Sequence, residues 1–153
     1  MHTTNQMKMV FPGISVNERT ARSLVAAFLV QLDPTVEELA DIRTAVSEAV
    51  TNSIVHGYRS QKGDVELHIK ILADREVYIR VKDRGCGIPD IEQAMQPLYT
   101  TAKEEERAGL GFAVMESLMD KVKVFSQPQK GTTVVLEKRI VSKGENNVHN
   151  SRE

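Results

Sequence analysis

Asp83-Arg-Gly-Cys-Gly87 closes a run of alternating apolar residues, and upstream of it Glu48 and Asn52 stand four apart in Ser47-Glu-Ala-Val-Thr-Asn52. A second glycine pair, Gly109-Leu-Gly111, follows downstream. Together these residue types suit a nucleotide. A carboxylate can accept a hydrogen bond from an exocyclic purine amine, glycines let backbone N–H groups approach a ring or phosphate, and an amide oxygen can ligate a hard cation. Each piece alone has a plain structural alternative. A Glu/Asn pair four apart is common on a solvated helix face, and a carboxylate before glycines is an ordinary turn at a strand end. Their order along one chain narrows the chemistry.

The spacing of four stacks Glu48 and Asn52 on one helical face. Asn52 could then bind Mg2+ through its side-chain oxygen, and Glu48 could take a proton from a hydroxyl as general base. Asp83 could accept from a purine amine, with Gly85 and Gly87 keeping Cβ atoms out of the way of the ring. Gly109 and Gly111 are placed to open a helix whose N–H groups and dipole favour phosphates. Thr132, just after Gly131, offers a hydroxyl near the base or merely suits a strand. Cys86 reads as a small filler between the glycines. Other nucleotide signatures are missing: there is no Gly-x-x-x-x-Gly-Lys-Ser/Thr loop, no His-Arg-Asp or Asp-Phe-Gly set, and no strand–Gly-x-Gly-x-x-Gly–helix unit.

These residues need a scaffold, and the periodicity supplies one. Residues 7–11 form a short strand candidate closed by Pro12-Gly13. Ser15 and Glu18 fit a capping box ahead of Ala21, Leu24, Val25, Phe28, Leu29 and Leu32 at helical spacing. Asp33-Pro34 stops that helix. Thr35 and Glu38 form a second box, opening a helix with Leu39, Ile42, Ala45, Val46, Ala49 and Val50 inward, expected to end at Gly57 in a left-handed cap. The period then changes to two: Val65, Leu67, Ile69, Ile71 and then Val77, Ile79, Val81 predict an antiparallel hairpin with one buried face. Residues 88–95 suggest a short helix. Residues 97–108, charged and poor in large apolar side chains, read as a mobile loop, with helix resuming at Gly111. Residues 122–125 and 132–140 predict a last hairpin. The expected fold is α+β, a two-layer sandwich in which a mixed, mostly antiparallel sheet is covered on one face by helices. Residues 1–141 form the expected domain, and the polar residues 142–153 a disordered tail.

Composition bounds the function classes. The chain has 153 residues, 41% hydrophobic, enough for one core without staples. Twenty basic against 21 acidic residues give a net charge of −1 and no basic block, which argues against a direct nucleic-acid partner. One cysteine excludes an internal disulfide and a cysteine-based zinc cluster. No apolar run has the roughly 18 residues of a membrane span, and the N-terminus lacks an apolar signal region, so a cytoplasmic location is expected.

The order Glu-x-x-x-Asn, Asp-x-Gly-x-Gly, Gly-x-Gly resembles the ATP-binding fold shared by gyrase, Hsp90, histidine kinases and MutL. Four stretches narrow the resemblance to the anti-sigma-F factors of endospore-forming bacteria: residues 47–58 around Glu48, residues 88–92, residues 96–101, and residues 106–112 around Arg107. The likeness runs from about Met7 to Ile140. It implies a homodimeric ATP- and magnesium-dependent serine kinase that holds the sporulation sigma factor F inactive and phosphorylates a serine on an anti-anti-sigma protein. By position it implies that Glu48 is the catalytic base, Asn52 the magnesium ligand and Asp83 the adenine carboxylate. Gly85, Gly87, Gly109 and Gly111 resemble the nucleotide-loop glycines, Thr132 the threonine near adenine, and Arg107 the lid arginine near the terminal phosphate. Thr100 and Thr101 resemble the lid threonines, although Ala102 here separates them from Lys103. Stress-response anti-sigma kinases share the ATP motifs. Two other readings are a binding module whose shape nucleotide merely sets, and a detached histidine-kinase domain, for whose phospho-accepting hairpin the chain has no room.

Overall fold

The computed structural model describes residues 2–58, 62–88, 90, 91, 95 and 103–141, with the backbone alone for 103–110. Five strands, β1 (Thr3–Pro12), β2 (Asp64–Leu72), β3 (Glu76–Lys82), β4 (Lys121–Gln127) and β5 (Gly131–Arg139), form one sheet in the order β1-β2-β3-β5-β4. All four pairings are antiparallel. Since β3 and β4 each run against β5, they point the same way with β5 between them. The chain crosses from one to the other through helix α3 (Lys103–Leu118). Helices α1 (Ser15–Leu29) and α2 (Val36–Thr51) connect β1 to β2.

The alternation read from β2 and β3 is the alternation of burial. Val65, Leu67, Ile69, Val77, Ile79 and Val81 are fully buried, while Glu66, His68, Lys70, Tyr78, Arg80 and Lys82 lie on the other face. Ala21, Val25 and Leu29 of α1, Ile42, Ala45, Val46, Ala49 and Val50 of α2, and Phe112 and Met115 of α3 close over the first set. Burying each of the Val, Leu, Ile, Phe and Met side chains among them contributes roughly 1.5–3 kcal/mol, which outweighs weak local preferences in fixing the register. Leu24, expected inward, is 44% exposed.

Both helix starts test the sequence reading. At α2 the capping box closes as expected. Glu38 N–H donates to Thr35 Oγ1 at 3.1 Å and Thr35 N–H to Glu38 Oε1 at 2.9 Å, while Glu38 Oε2 accepts from Val141 N–H at 2.8 Å. At α1 it does not form: Ile14 is the N-cap, with no side-chain bond. Glu18 instead reaches across to α2, accepting from the Ser47 hydroxyl and pairing with Arg22 at 3.7 Å. A tertiary partner has displaced the local cap.

Two boundaries also differ. Helix α2 does not end in a left-handed glycine; it runs on as a π-helix over Asn52–Gly57. Helix α3 begins at Lys103, so residues 103–108 are helical rather than a loop. Lys, Glu, Arg and Ala are all strong helix formers, and they need no apolar face once α3 is anchored further along by Phe112 and Met115. The expected helix at 88–95, the rest of the loop and the tail 142–153 lie largely or wholly outside the described residues.

Candidate functional site

The site lies at one end of the sheet, where β3 ends, β5 begins and α2 passes into its π turn. A π turn closes over five residues rather than four, here through Tyr58 N–H donating to Ser53 O at 3.0 Å. Such turns are rare and often sit at functional sites. This one places Asn52, Ser53 and Gly57, all buried, against the end of β3.

Asp83 stands at the centre, 2% exposed. Its Oδ1 accepts from Gly85 N–H at 2.9 Å and from Thr132 N–H at 3.3 Å, and its own N–H donates to Thr132 O at 2.9 Å. Its Oδ2 is buried and has no hydrogen-bond partner among the described residues, the nearby Ser53 side chain lying outside bonding geometry. Burial is the main influence on the acid and raises its pKa; the Gly85, Ser53 and Thr132 contacts pull in the opposite direction without cancelling it. A buried carboxylate oxygen lacking a donor costs about 1–3 kcal/mol, so it is a standing demand for one.

Backbone packs on backbone around this acid. A Cβ on Gly85 would fall 2.1 Å from Gly57 O, and one on Gly57 would fall 2.9 Å from the Asp83 carboxylate. Cys86 N–H donates to Gly57 O at 2.9 Å, fastening the two segments. Gly87 adopts φ +77°, a conformation that side chains disfavour, and Gln129 N–H donates to Cys86 O at 2.7 Å. On the far side Ile88 N–H donates to Ser126 Oγ at 2.7 Å, and that hydroxyl also meets Thr132 Oγ1 at 2.9 Å. Cys86 is half-buried, its thiol 3.2 Å from His56 O, in keeping with a filler.

Of the residues singled out in the sequence, Asp83, Gly85, Gly87 and Thr132 come together here, with Asn52 on the adjoining turn. Glu48 lies one turn back along α2, where a Cβ on Gly111 would come within 3.1 Å of its Oε2. The glycine pair itself is a correction. Gly109 and Gly111 lie inside α3 rather than opening it, so the helix start expected to face phosphates is at Lys103 in this form. The side chain of Arg107, and Thr100 and Thr101 altogether, fall outside the described residues. Ser53, Gly57 and Ser126 were not singled out as site residues. Only Gly57 gave a signal, as the end of an apolar helical pattern, and close approach rather than a cap is what it provides.

No group of three or more His, Cys, Asp or Glu side chains among the described residues could hold a metal. A cation here would therefore depend on the Asn52 oxygen together with phosphate oxygens and water, which suits Mg2+.

A family model described as a histidine kinase-like ATPase domain matches residues 15–138. The chain is 54% identical over 142 residues to an anti-sigma F factor of Thermoanaerobacter sp. (strain X514), covering 93% of this chain and 99% of that one. It is 52% identical over 136 residues to that of Geobacillus kaustophilus, covering 89% and 93%. Among solved structures, the RsbU and RsbW domains of a Mycobacterium tuberculosis protein align with a TM-score of 0.66 at 24% identity, over 90% of this chain and 33% of that one. A blue-light activated histidine kinase of Erythrobacter litoralis aligns at 0.56 and 21% identity, over 74% and 34%. These two structures speak to fold alone.

Proposed function

The chain belongs to the histidine kinase-like ATPase domain family, and within it to the anti-sigma F factors; from that premise we propose that it binds and inhibits the sporulation sigma factor F and, with ATP and Mg2+, phosphorylates a serine on an anti-anti-sigma protein. The observation that carries the nucleotide reading is the buried, partnerless Oδ2 of Asp83. The exocyclic amine of adenine supplies the missing donor, while the glycines let the backbone segments close around the acid. Guanine offers a carbonyl at the same ring position, which would set acceptor against acceptor.

Asn52 is the residue of this chain that would hold the cation, which when bound would offset charge on the phosphates. Glu48 takes the proton of the partner serine hydroxyl as that oxygen bonds to the terminal phosphorus. The bond from that phosphorus to the bridging oxygen breaks, and ADP leaves with the electron pair. By the family resemblance, Arg107, Thr100 and Thr101 supply the contacts to the terminal phosphate. Residues 103–110 would have to leave their helical form for Gly109 to offer free N–H groups to phosphate. The same reading carries with it a cytoplasmic homodimer, as the family resemblance implies.

The test is transfer of labelled phosphate from ATP to a purified anti-anti-sigma protein, with sigma-factor capture measured in the same preparation. Capture without transfer would leave a binding module rather than a kinase.

A further inference from the structure

Tyr58 follows the π turn and is 7% exposed, yet its phenol oxygen is bonded on both sides. It accepts from Arg84 N–H at 2.9 Å and donates to Asp64 O at 2.5 Å. Its ring is fixed as firmly. A Cβ on Gly63 would fall 2.0 Å from the ring and one on Gly13 would fall 3.2 Å from it, while Gly13 N–H donates to Gly63 O at 2.8 Å. The ring thus fills a slot between two backbone segments that are tied to each other, and it cannot swing aside without moving both.

What the phenol grips is the peptide between Asp83 and Arg84. That unit is planar, so fixing the Arg84 N–H fixes ψ of Asp83. On the other side, the Asp83 N–H is held by Thr132 O at 2.9 Å. The acid is therefore clamped through both of its peptide units, and the bonds from Gly85 N–H and Thr132 N–H to Oδ1 hold the side-chain rotation that remains. We infer that Tyr58 is a positioning residue for base recognition, fixing through the Arg84 peptide the direction in which Asp83 presents Oδ2. Burial, the largest influence on Tyr58, raises the phenol pKa, so the hydroxyl keeps its proton and both bonds persist. The inference rests on the reading of Asp83 as the purine carboxylate.

The experiment compares calorimetric affinities of ADP and of purine riboside diphosphate, which lacks the exocyclic amine, in the wild type, Tyr58→Phe and Asp83→Asn. The phenylalanine keeps a ring in the slot, and circular dichroism with an unfolding midpoint checks the fold. ADP affinity is expected to fall about three- to tenfold in Tyr58→Phe, the size of one hydrogen bond, with the analogue changing less than twofold. Equal losses on both ligands would mean general loosening and overturn the inference, as would an unchanged ADP affinity. If Asp83→Asn still prefers ADP as the wild type does, the purine-carboxylate reading fails and takes this one with it. If discrimination is lost in Asp83→Asn but intact in Tyr58→Phe, the positioning role alone is overturned. Should Tyr58→Phe not fold, 2,3-difluorotyrosine placed at position 58, assayed beside the wild type at about pH 6 so that the more acidic phenol keeps its proton, weakens the oxygen as an acceptor while keeping the shape. The same narrowing is then expected, and its absence overturns the inference.

Discussion

Glu48 on α2 and Gly111 on α3 meet face to face, with space for a hydrogen where a Cβ would stand 3.1 Å from Glu48 Oε2. The small residue lets the carboxylate lie against α3, so the placement of Glu48 depends on both helices.

Glu48→Gln should bind ADP within about twofold of the wild type and slow phosphate transfer by roughly 10²–10⁴, because basicity is removed at nearly constant volume. Gly111→Ala should give a milder version, since the flexible carboxylate can yield a few tenths of an ångström. Single-turnover transfer beside ADP calorimetry checks both; wild-type rates in Glu48→Gln would make that residue structural.

Asp83→Asn should weaken ADP binding by roughly 5- to 150-fold, the factor for a buried polar mismatch of about 1–3 kcal/mol. Unaltered affinity would remove Asp83 from the site.

The same acid sets two opposed pH dependences. Its pKa is raised from the ordinary 3.8 by burial, so over the window between that value and the raised one the folded chain binds more protons than the unfolded chain. Stability of the nucleotide-free protein therefore falls as pH rises through that window. Asp83→Asn should abolish this component, its stability relative to the wild type improving toward neutrality. ADP affinity runs the other way, since a protonated acid presents a donor to the amine, and it should weaken on acidification above the usual carboxylate range. Urea unfolding and calorimetry between roughly pH 4 and 8 measure both slopes.

Asn52→Ala should differ from the Asp83 variant in kind. If Asn52 holds the cation as proposed, nucleotide affinity without magnesium should stay near that of the wild type and the gain on adding magnesium should disappear. Titrations of ADP with and without Mg2+ decide it.

Gly57→Ala should cost both stability and ligand. The new methyl group would sit 2.9 Å from the Asp83 carboxylate, with Gly85 packed directly on the Gly57 carbonyl, so strain of about 1–3 kcal/mol has nowhere to relax. A midpoint shift in urea together with weakened ADP binding is the expected pair of results.

What could be read from sequence followed from the physics of each signal. Alternation in Val65–Ile71 and Val77–Val81 reports burial directly, and the reciprocal bonds of Thr35 and Glu38 depend only on neighbours along the chain, so both were legible. The Ser15–Glu18 box had the same pattern, but Ser47, far along the sequence, captured Glu18. Residues 103–108 looked like a loop because they lack apolar periodicity, although their helix propensity is high and a packed continuation needs no more. In the sequence Gly57 reads as punctuation, while its real requirement, contact with Gly85 and Asp83, is invisible to any local pattern. The orphan oxygen of Asp83 is likewise a property of the folded chain alone.

The cradle around Asp83 is assembled from residues near 57, 85 and 129, which are far apart in the chain and meet only when the whole sheet is in register. Where that long-range pairing forms after the folding transition state, the unfolding and refolding rates should answer ADP differently. A ligand whose pocket is absent from the folding transition state leaves the refolding rate unchanged and lowers only the unfolding rate. At a hundredfold excess over Kd the stabilisation of about 2.7 kcal/mol would then appear as roughly hundredfold slower unfolding. For a protein of this size, occupancy by nucleotide would set its lifetime against proteolysis in the regime where cleavage outpaces reclosing.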